Sequence, residues 1–274
     1  MKKHSIINES VRNSEQNREK EKEFWNNVSK QKREWIKNTS KEGIIKNILS
    51  QEHWWDNLIG KIKEKKILDI GCGDTYFATY WQLTRNEACG CDFAAETVNN
   101  NNLLHKKLGL KQDFYVASSE KIEAEDEYFD VVHMRWVIHH IPEELQDSSM
   151  QEIKRVLVRG GKLIVFETNY LYPFRWLIQT PAWRKYNPFR NYAIKKGWLD
   201  PEEKALTNQG YLELLERNGF RIIAKEYDST FFYYPVSLLI KNKLIKRMTR
   251  RLDLFVAKMI SNKFSKDIKI IAEK

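Results

Sequence analysis

The sequence predicts an α/β protein with one seven-stranded, mostly parallel sheet and flanking helices. From residue 66 onward, short β-rich runs alternate with helical patterns, which is the arrangement of βαβ units. The first run ends in a glycine-containing turn, Gly71-Cys72-Gly73, and two longer segments interrupt the alternation farther along. These observations indicate one large domain with insertions rather than several small domains.

Seven runs rich in β-branched, aromatic and other apolar residues predict the strands. They are residues 67–70, 88–92, 113–117, 129–134, 162–167, 220–227 and 268–272. Before the fifth run, the turn Arg159-Gly160-Gly161 separates the strand from a helix that ends near Leu157, because glycine adopts the left-handed backbone of a helix exit. Asn218-Gly219 ends the helix before the sixth run.

The regions outside this alternation are expected to cover the sheet. Residues 1–62 predict a flexible polar tail, up to about residue 20, and a helical cap formed by two helical patterns. The domain proper is expected at 63–274, with an aromatic-rich insertion at 168–206 and a basic one at 229–265. Long insertions at strand ends usually shape a site or close over it, so both predict lids on the substrate side.

Composition sets broad limits on partners and location. The formal charge of +10 favours acidic partners in general and selects none of them. Three cysteines, Cys72, Cys89 and Cys91, do not suit a disulfide framework, and a reducing cytoplasm is expected. Cys89-Gly90-Cys91 ends a strand and has no second cysteine pair, so no metal site is predicted. No export signal or membrane-spanning stretch is recognised.

The turn after the first strand is the main functional signal. A buried strand followed by Gly-x-Gly and a helix lets the backbone approach a ligand closely. A dinucleotide site would require a third glycine where Tyr76 stands, and no Gly-Lys-Ser/Thr follows for a phosphate loop. Asp69, beside the turn, suits a ligand that carries an ammonium or sulfonium and would repel a pyrophosphate. Asp92, roughly 20 residues on, can accept both hydroxyls of a ribose.

At these residues the sequence resembles the class I S-adenosylmethionine-dependent methyltransferases, in particular bacterial enzymes of the small-molecule and natural-product type. Leu68-Asp69-Ile70-Gly71-Cys72-Gly73 is similar to their first motif, and Cys91-Asp92-Phe93 to their acidic ribose-binding motif. The match continues in family order through residues 129–132, 137–142 and 155–163. The resemblance implies S-adenosylmethionine as the cofactor and a Rossmann-like sheet whose last strand is antiparallel.

The resemblance also implies which residues bind the cofactor. The methionine moiety would be lined by Asp69, Gly71, Cys72 and Gly73 and approached by the backbone of Arg135; Asp92 would hold the ribose, Phe93 would pack on adenine, and Ser118 and Ser119 would border its edge. Thr75 replaces the usual third glycine, and Ser118 stands where an aspartate often contacts the adenine amine. Asp92 would also suit the start of a helix near Ala94.

The acceptor side carries few candidate catalytic residues, because methyl transfer mainly requires positioning and the exclusion of water, with a base where the acceptor must lose a proton. His139 and His140, beyond the fourth strand, are the candidate bases, or else pack under a helix and line the pocket. Some quinone O-methyltransferases carry Glu-x-x-Glu-His here, whereas this chain has Trp136 and His139 at the glutamate positions. Glu167 would either face the acceptor or pair with a basic residue.

The expected activity is methyl transfer to an oxygen or nitrogen of a small-molecule acceptor such as a natural product, a sugar or a lipid-linked compound. One alternative is an RNA methyltransferase. The basic charge is the only argument for it, and no nucleic-acid partner is expected. The other is a non-catalytic partner protein with the methyltransferase fold. The amphipathic basic helix at 240–255 would be a lid, or would contact a membrane surface or an anionic substrate.

Overall fold

The computed structural model has the predicted α/β architecture. It describes residues 2–51, 53–73, 76–172, 205–228, 245, 247–249, 251–252 and 262–274, and only the backbone of residues 2–18 and 31. The helices whose bounds are described are α1 (Lys2–Asn38), α2 (Lys41–Leu49), α3 (Asp56–Ile59), α4 (Phe77–Leu83), α5 (Ala95–Leu108), α6 (Glu143–Val156) and α7 (Asn208–Arg217). The strands are β1 (Lys66–Ile70), β2 (Glu87–Asp92), β3 (Phe114–Val116), β4 (Phe129–Arg135), β5 (Leu157–Thr168), β6 (Arg221–Asp228) and β7 (Asp267–Glu273).

These strands form one sheet in the order β3-β2-β1-β4-β5-β7-β6. The pairs among β1 to β5 are parallel, whereas β7 is antiparallel to both β5 and β6. The predicted Rossmann-like sheet with an antiparallel last strand is therefore confirmed. The strand order reverses between β1 and β4, and open parallel sheets bind ligands beyond the carboxyl ends of their strands at such a point.

The glycine turn before the fifth strand lies inside that strand rather than in front of it. Gly160 has the left-handed backbone expected of it, with φ +72°. The pairing continues across the turn, because Phe129 of β4 pairs with Leu157 and, after a register shift, Val131 pairs with Lys162. The strand thus continues through the turn with a shift in register, and β5 begins five residues before the predicted run 162–167.

The N-terminal segment also differs from the sequence prediction. Residues 2–38 form one continuous helix, so the segment predicted as a polar tail is helical. This stretch contains neither glycine nor proline and is rich in Lys, Glu, Gln and Arg, which sustain a helix without a continuous apolar stripe. The absence of helix-breaking residues was the sequence signal for this helix. The prediction of a polar tail relied on the lack of apolar periodicity instead.

Apolar side chains pack on both faces of the sheet. In β1, Ile67 belongs to a cluster with Trp55 and Trp81 on one face, whereas Leu68 belongs to a cluster with residues of α6 and α7 on the other. A third cluster joins α1, α2 and α5 through Ile36, Ile44, Ile48, Leu104 and Leu108. The predicted N-terminal cap is thus packed on the domain as an extension of its core.

Both predicted insertions leave the sheet at the same corner. Thr168 at the end of β5 pairs with Asp267, and Asp267 also pairs with Asp228 at the end of β6. This corner lies at the carboxyl edge of the parallel strands, on the side expected to bind ligands. Most of 168–206 and 229–265, and most of the helix at 240–255, lie outside the described residues, so the lids and the membrane contact stay predictions. Within the described part of the chain, no helix has both the length and the apolarity to cross a membrane.

A buried amide ties the start of the first insertion to the end of the second. Asn169 follows β5 and is fully buried, and its Nδ2 donates to the carbonyl oxygens of Lys263 at 2.9 Å and Ser265 at 2.7 Å. Its Oδ1 accepts the backbone N–H of Leu171 at 3.1 Å and of Asn208 at 3.3 Å. Because each of these backbone groups would otherwise need another partner, the amide is important for the stability of this corner.

Replacing Asn169 with Ala should therefore lower the free energy of unfolding by about 2–3 kcal/mol, since several buried backbone groups lose their partner. The control is Asn27→Ala, because Asn27 is exposed and its side chain bonds to Lys30 on the surface. Urea denaturation of both variants measures the difference. Equal losses in the two variants would contradict the structural role given to Asn169.

One histidine is part of the aromatic cluster on the α3 and α4 face. His53 stacks on Trp55 with the ring centroids 4.5 Å apart and the planes at 10°, and it contacts Tyr80 at 3.9 Å. Burial, together with the smaller effects of charge on His133 and Arg135, lowers the pKa of His53 from 6.5 to about 4. The imidazole is therefore neutral in the folded protein near neutral pH.

The low pKa predicts that His53 makes stability depend on pH. An unfolded chain binds a proton at this histidine below about pH 6.5, whereas the folded chain binds it only below about pH 4. Stability should therefore be lost as the pH falls from about 6.5 toward 4. Urea denaturation at several pH values should show a smaller loss in His53→Gln than in the wild type. Parallel pH profiles would exclude this contribution.

Candidate active site

A cleft opens at the carboxyl edge, where the strand order reverses. Its described walls come from the ends of β1 and β2, the loops after β3 and β4, and α1. The predicted site residues that line it are Gly71, Asp92, Phe93, Ser118, Ser119 and His140. The remaining predicted residues are not in the described lining; they are Asp69, Cys72, Gly73, Arg135 and His139.

The turn after β1 needs glycine for two separate reasons. Gly71 and Gly73 have φ values of +58° and +44°, a backbone region that favours glycine. A Cβ atom on Gly71 would lie 2.5 Å from Cγ2 of Val137, in the loop after β4. The absence of a side chain at Gly71 therefore lets that loop close against the turn. Thr75, where the sequence departs from the family pattern, lies outside the described residues.

Asp92 connects this turn to the start of α5. Its Oδ2 accepts the N–H of Gly73 at 3.0 Å, and its Oδ1 accepts the N–H of Ala94 at 2.9 Å. The helix N-cap considered for Asp92 is wrong, because the N-cap of α5 is Ala94, which makes no side-chain capping bond. Asp92 instead holds the N–H of Ala94 and contacts the glycine turn.

Asp69 and Arg135 do not belong to the described cleft lining. Asp69 is 2% exposed, and its Oδ1 lies 2.7 Å from Nδ1 of His133, its partner in the β1–β4 register. Burial raises the pKa of Asp69 and the hydrogen bond from His133 opposes that shift. The guanidinium of Arg135 lies over Trp136, 4.2 Å from the ring centroid, and over Phe166 at 5.1 Å. Burial lowers the pKa of Arg135.

The loop after β4 is held by a carboxylate from β5. Glu167 is fully buried, and its Oε1 accepts the N–H groups of Val137 at 2.8 Å and Ile138 at 2.7 Å. Its Oε2 lies 2.5 Å from Nδ1 of His139. Of the two roles considered for Glu167, the structure shows pairing with an imidazole and with two backbone amides. His139 is consequently buried between the loop and β5, at 5% exposure.

His140 instead lines the cleft and is contacted by α1. Oε1 of Glu21 lies 2.7 Å from Nδ1 of His140, and Trp25 meets the imidazole edge-on with 5.5 Å between the ring centroids. The rings of His139 and His140 are 4.2 Å apart. Glu21 was missed from the sequence because it is distant in the chain and belongs to no motif. His133 was missed too. It lies opposite Asp69 when the predicted strands 67–70 and 129–134 are paired side by side.

The cleft is acidic although the chain is basic. Glu21, Asp92 and Glu120 line it, and its described lining contains neither lysine nor arginine. Carboxylates around a partly buried cleft favour a cationic ligand and disfavour phosphates, because opposite charges attract more strongly where water is scarce. The electrostatics of the cleft therefore fit a ligand that carries a positive charge.

The cysteines and acidic residues do not assemble a metal site in the described part of the chain. No group of three or more His, Cys, Asp or Glu residues there is arranged to hold a metal ion. Burial raises the pKa of Cys89 to about 12 and raises that of Cys91 as well. Both thiols are therefore protonated at neutral pH, whereas a metal ligand is a thiolate.

Known sequences match the part of the chain that forms this cleft. Residues 68–165 match the methyltransferase domain family. The ubiquinone biosynthesis O-methyltransferase of Bordetella parapertussis is 24% identical over 116 residues, which are 42% of this chain and 47% of that protein. The malonyl-[acyl-carrier protein] O-methyltransferase of Hamiltonella defensa is 28% identical over 128 residues, 47% of this chain and 46% of that protein. The chain thus spans about half the length of these curated relatives.

A solved structure agrees over a larger part of the fold. The S-adenosylmethionine dependent methyltransferase from Mesorhizobium loti matches with a TM-score of 0.56 at 14% identity, covering 83% of this chain and 100% of that one. At this identity the likeness concerns the fold alone. The strand order and the glycine turn with its acidic neighbours agree with this family match. The chain therefore has the Rossmann-like fold of the class I methyltransferases, and its residues 68–165 are similar to the methyltransferase domain family.

Proposed function

We propose that the chain transfers a methyl group from S-adenosylmethionine to an oxygen or nitrogen of a small-molecule acceptor in this cleft. The observation that carries the proposal is the acidic cleft beside a glycine turn, with Asp92 in its lining and bonded to that turn. A pyrophosphate cofactor would be repelled there, whereas a sulfonium would be attracted. S-adenosylmethionine supplies an electrophilic methyl group on such a sulfonium.

The described residues fit the parts of this cofactor. Asp92, whose oxygens already accept two backbone N–H groups, would also accept the ribose hydroxyls. Phe93, Ser118 and Ser119 line the same end of the cleft and would flank the adenine. Gly71 would let the methionine moiety approach the backbone. Asp69 would act from behind the turn, held in orientation by His133.

Two features of the loop after β4 support a role in methyl transfer. Methyl transfer is an in-line displacement, so the protein mainly has to orient the acceptor and exclude water. Glu167 holds the loop rigidly through Val137 and Ile138, and the loop places His140 in the cleft wall. His140 would take the proton of an acceptor hydroxyl or amine, whereas His139, buried beside Glu167, would support the loop.

The names of the two curated relatives support an oxygen as the first candidate for the methylated atom. Both are named as O-methyltransferases, one of ubiquinone biosynthesis and one of a malonyl group on a carrier protein. These names support a hydroxyl or carboxyl oxygen as the methylated atom, with nitrogen second. A screen of small-molecule acceptors by mass spectrometry, scored as the gain of one methyl group, would identify the class.

Replacing Asp92 with Ala should weaken S-adenosylmethionine binding by roughly 10- to 100-fold, because a charged group that accepts ribose hydroxyls contributes about 1.5–3 kcal/mol. Calorimetric titration measures the affinity. The matched control is Asp113→Ala, which removes a carboxylate that pairs with Lys111 on the surface. Unchanged affinity in Asp92→Ala, or equal losses in both variants, would refute the site. A wild-type chain that binds no S-adenosylmethionine would favour the non-catalytic alternative.

Replacing His140 with Gln should lower turnover of an acceptor found in the screen by about 100-fold, the usual contribution of a positioned base. Turnover at saturating S-adenosylmethionine is the measurement. His139→Gln serves as the comparison, because His139 forms a buried pair with Glu167. Its replacement should mainly lower the stability of the folded protein and have little direct effect on turnover. Full turnover in His140→Gln would exclude an essential base at this position.

A further inference from the structure

The guanidinium of Arg135 lies among aromatic rings at the carboxyl end of β4. Its central carbon is 4.2 Å from the ring centroid of Trp136, 5.1 Å from that of Phe166 and 5.3 Å from that of Phe77. The rings belong to the loop after β4, to β5 and to α4. Each ring face attracts a cation, and the attraction is stronger where water is scarce, so the rings hold the charged group in this position.

Within the described part of the chain, no acceptor meets this cation. Nε of Arg135 is buried without a hydrogen-bond partner. Burial lowers the pKa of Arg135, and the carboxylates of Asp267 and Asp69 oppose that shift from a distance. Those carboxylates lie beside other partners, Lys266 at 3.0 Å and His133 at 2.7 Å. Because a buried donor without an acceptor costs free energy, the orphaned Nε–H indicates that a ligand group binds here.

The cation lies on the β5 side of the cofactor cleft. Arg135 pairs with Phe166 in the β4–β5 register, and the N–H of Trp136 donates to the carbonyl oxygen of Phe166 at 2.8 Å. β1 and β2, whose carboxyl ends line the cleft, lie on the other side of β4. The insertion predicted at 168–206 starts shortly after Phe166. The β5 side is therefore the side from which an acceptor would meet S-adenosylmethionine bound in the cleft.

The surroundings of the cation favour a carboxylate over a phosphate. A guanidinium presents parallel N–H groups in one plane, which match the two oxygens of a carboxylate. Asp69 and Asp267 are close enough to affect the pKa of Arg135, and they would repel a dianion more strongly than a monoanion. The side chain of Trp136 is 40% exposed, which leaves part of its ring for an apolar or planar group of the ligand.

We propose that Arg135 binds a carboxylate of the acceptor, and that Trp136 and Phe166 contact the apolar part of the same molecule. Both oxygens of this carboxylate are engaged by the guanidinium, so it anchors the acceptor, and the methylated atom belongs to another group. The inference rests on the proposed function and adds to it the substrate class, an organic acid. The methionine end of S-adenosylmethionine also carries a carboxylate, and the tests below separate the two sources.

The first test observes the guanidinium directly and needs no turnover. The Nε–H signal of Arg135 in proton–nitrogen NMR is assigned by its loss in Arg135→Lys. Benzoate should move this signal downfield, whereas benzamide should leave it in place, because only the acid supplies a charged acceptor. Inorganic phosphate should have a smaller effect than benzoate.

The same titration distinguishes the acceptor from the cofactor. The effect of benzoate should persist at saturating S-adenosylmethionine, since the methionine carboxylate then lies elsewhere. Loss of the benzoate effect on addition of S-adenosylmethionine would place the methionine carboxylate at Arg135 and overturn the acceptor assignment. No effect of benzoate, an equal effect of benzamide or a larger effect of phosphate would overturn the carboxylate site.

The second test compares acceptors that are supplied both as the acid and as the primary amide. In the wild type, kcat/KM should be roughly 10- to 100-fold higher for the acid, the usual effect of a charge-assisted hydrogen bond. Arg135→Met keeps an unbranched side chain that packs on aromatic rings but removes the charge. This preference should fall to about one in Arg135→Met, mainly through KM, and persist in part in Arg135→Lys, which keeps the charge without the planar pair of donors.

The matched control is Arg159→Met, because Arg159 is 90% exposed at the start of β5 and pairs with Glu127 on the surface. It should keep the full preference for the acid. An unchanged preference in Arg135→Met, or an equal loss in Arg159→Met, would contradict the role given to Arg135. Urea denaturation of Arg135→Met should show a midpoint no lower than that of the wild type, since an apolar side chain replaces an unpaired buried cation.

The two tests separate this inference from the proposed function. A wild-type chain that methylates no acceptor would refute the proposed function, and the NMR titration would still decide whether Arg135 binds a carboxylate. Methylation of acids and amides with equal kcat/KM in the wild type would leave the proposed function standing and overturn the further inference alone.

Discussion

Carboxylates buried around β4 and its following loop need hydrogen-bond partners, and this requirement shapes the centre of the protein. Asp69 of β1 is hydrogen-bonded to His133, and Glu167 of β5 to His139. Glu21 of α1 contacts His140, with 2.7 Å between Oε1 and Nδ1. All three imidazoles lie within one short segment of the chain, whereas the carboxylates come from three different elements. Because a buried charged or polar group without a partner is costly, each pair fixes the distance between β4 or its loop and another element.

The same segment forms one side of the cleft, so the buried pairs determine its shape. The loop closes against the turn after β1, where only glycine leaves room for Val137, and Asp92 holds that turn from the side of β2. Trp136 has φ +57°, an unusual backbone for a bulky residue, and it breaks the line of β4 just before the loop. A strained backbone of this kind persists where surrounding contacts hold it in place. Here Glu167 accepts the N–H of Val137, the next residue, and the guanidinium of Arg135 lies over the Trp136 ring.

Much of the fold was predictable because its signals are local. Parallel strands buried on both faces produce short apolar runs, and the strand predictions differ from the observed strands mainly at their ends. One cleft is lined by Gly71, Asp92, Phe93, Ser118, Ser119 and His140, because these residues follow strands whose carboxyl ends share an edge. The start of β5 was not predictable from Gly160, since the same left-handed glycine suits a turn before a strand or a bulge inside it. The continuous helix α1 was missed because its first part has no apolar periodicity.

The sequence by itself determined the class of sheet, the glycine turn and the acidic residues beside it, since these depend on residue types and spacings along short stretches. Only the tertiary structure decided which side chains face the cleft and which support it. His139 and His140 are adjacent and chemically identical, yet one is buried against Glu167 and the other lines the cleft beside Glu21. Their partners are far away in the chain, and the packing of β5 and α1 against the loop after β4 brings them together. No local pattern encodes that choice, because it depends on the distances between elements in the folded protein.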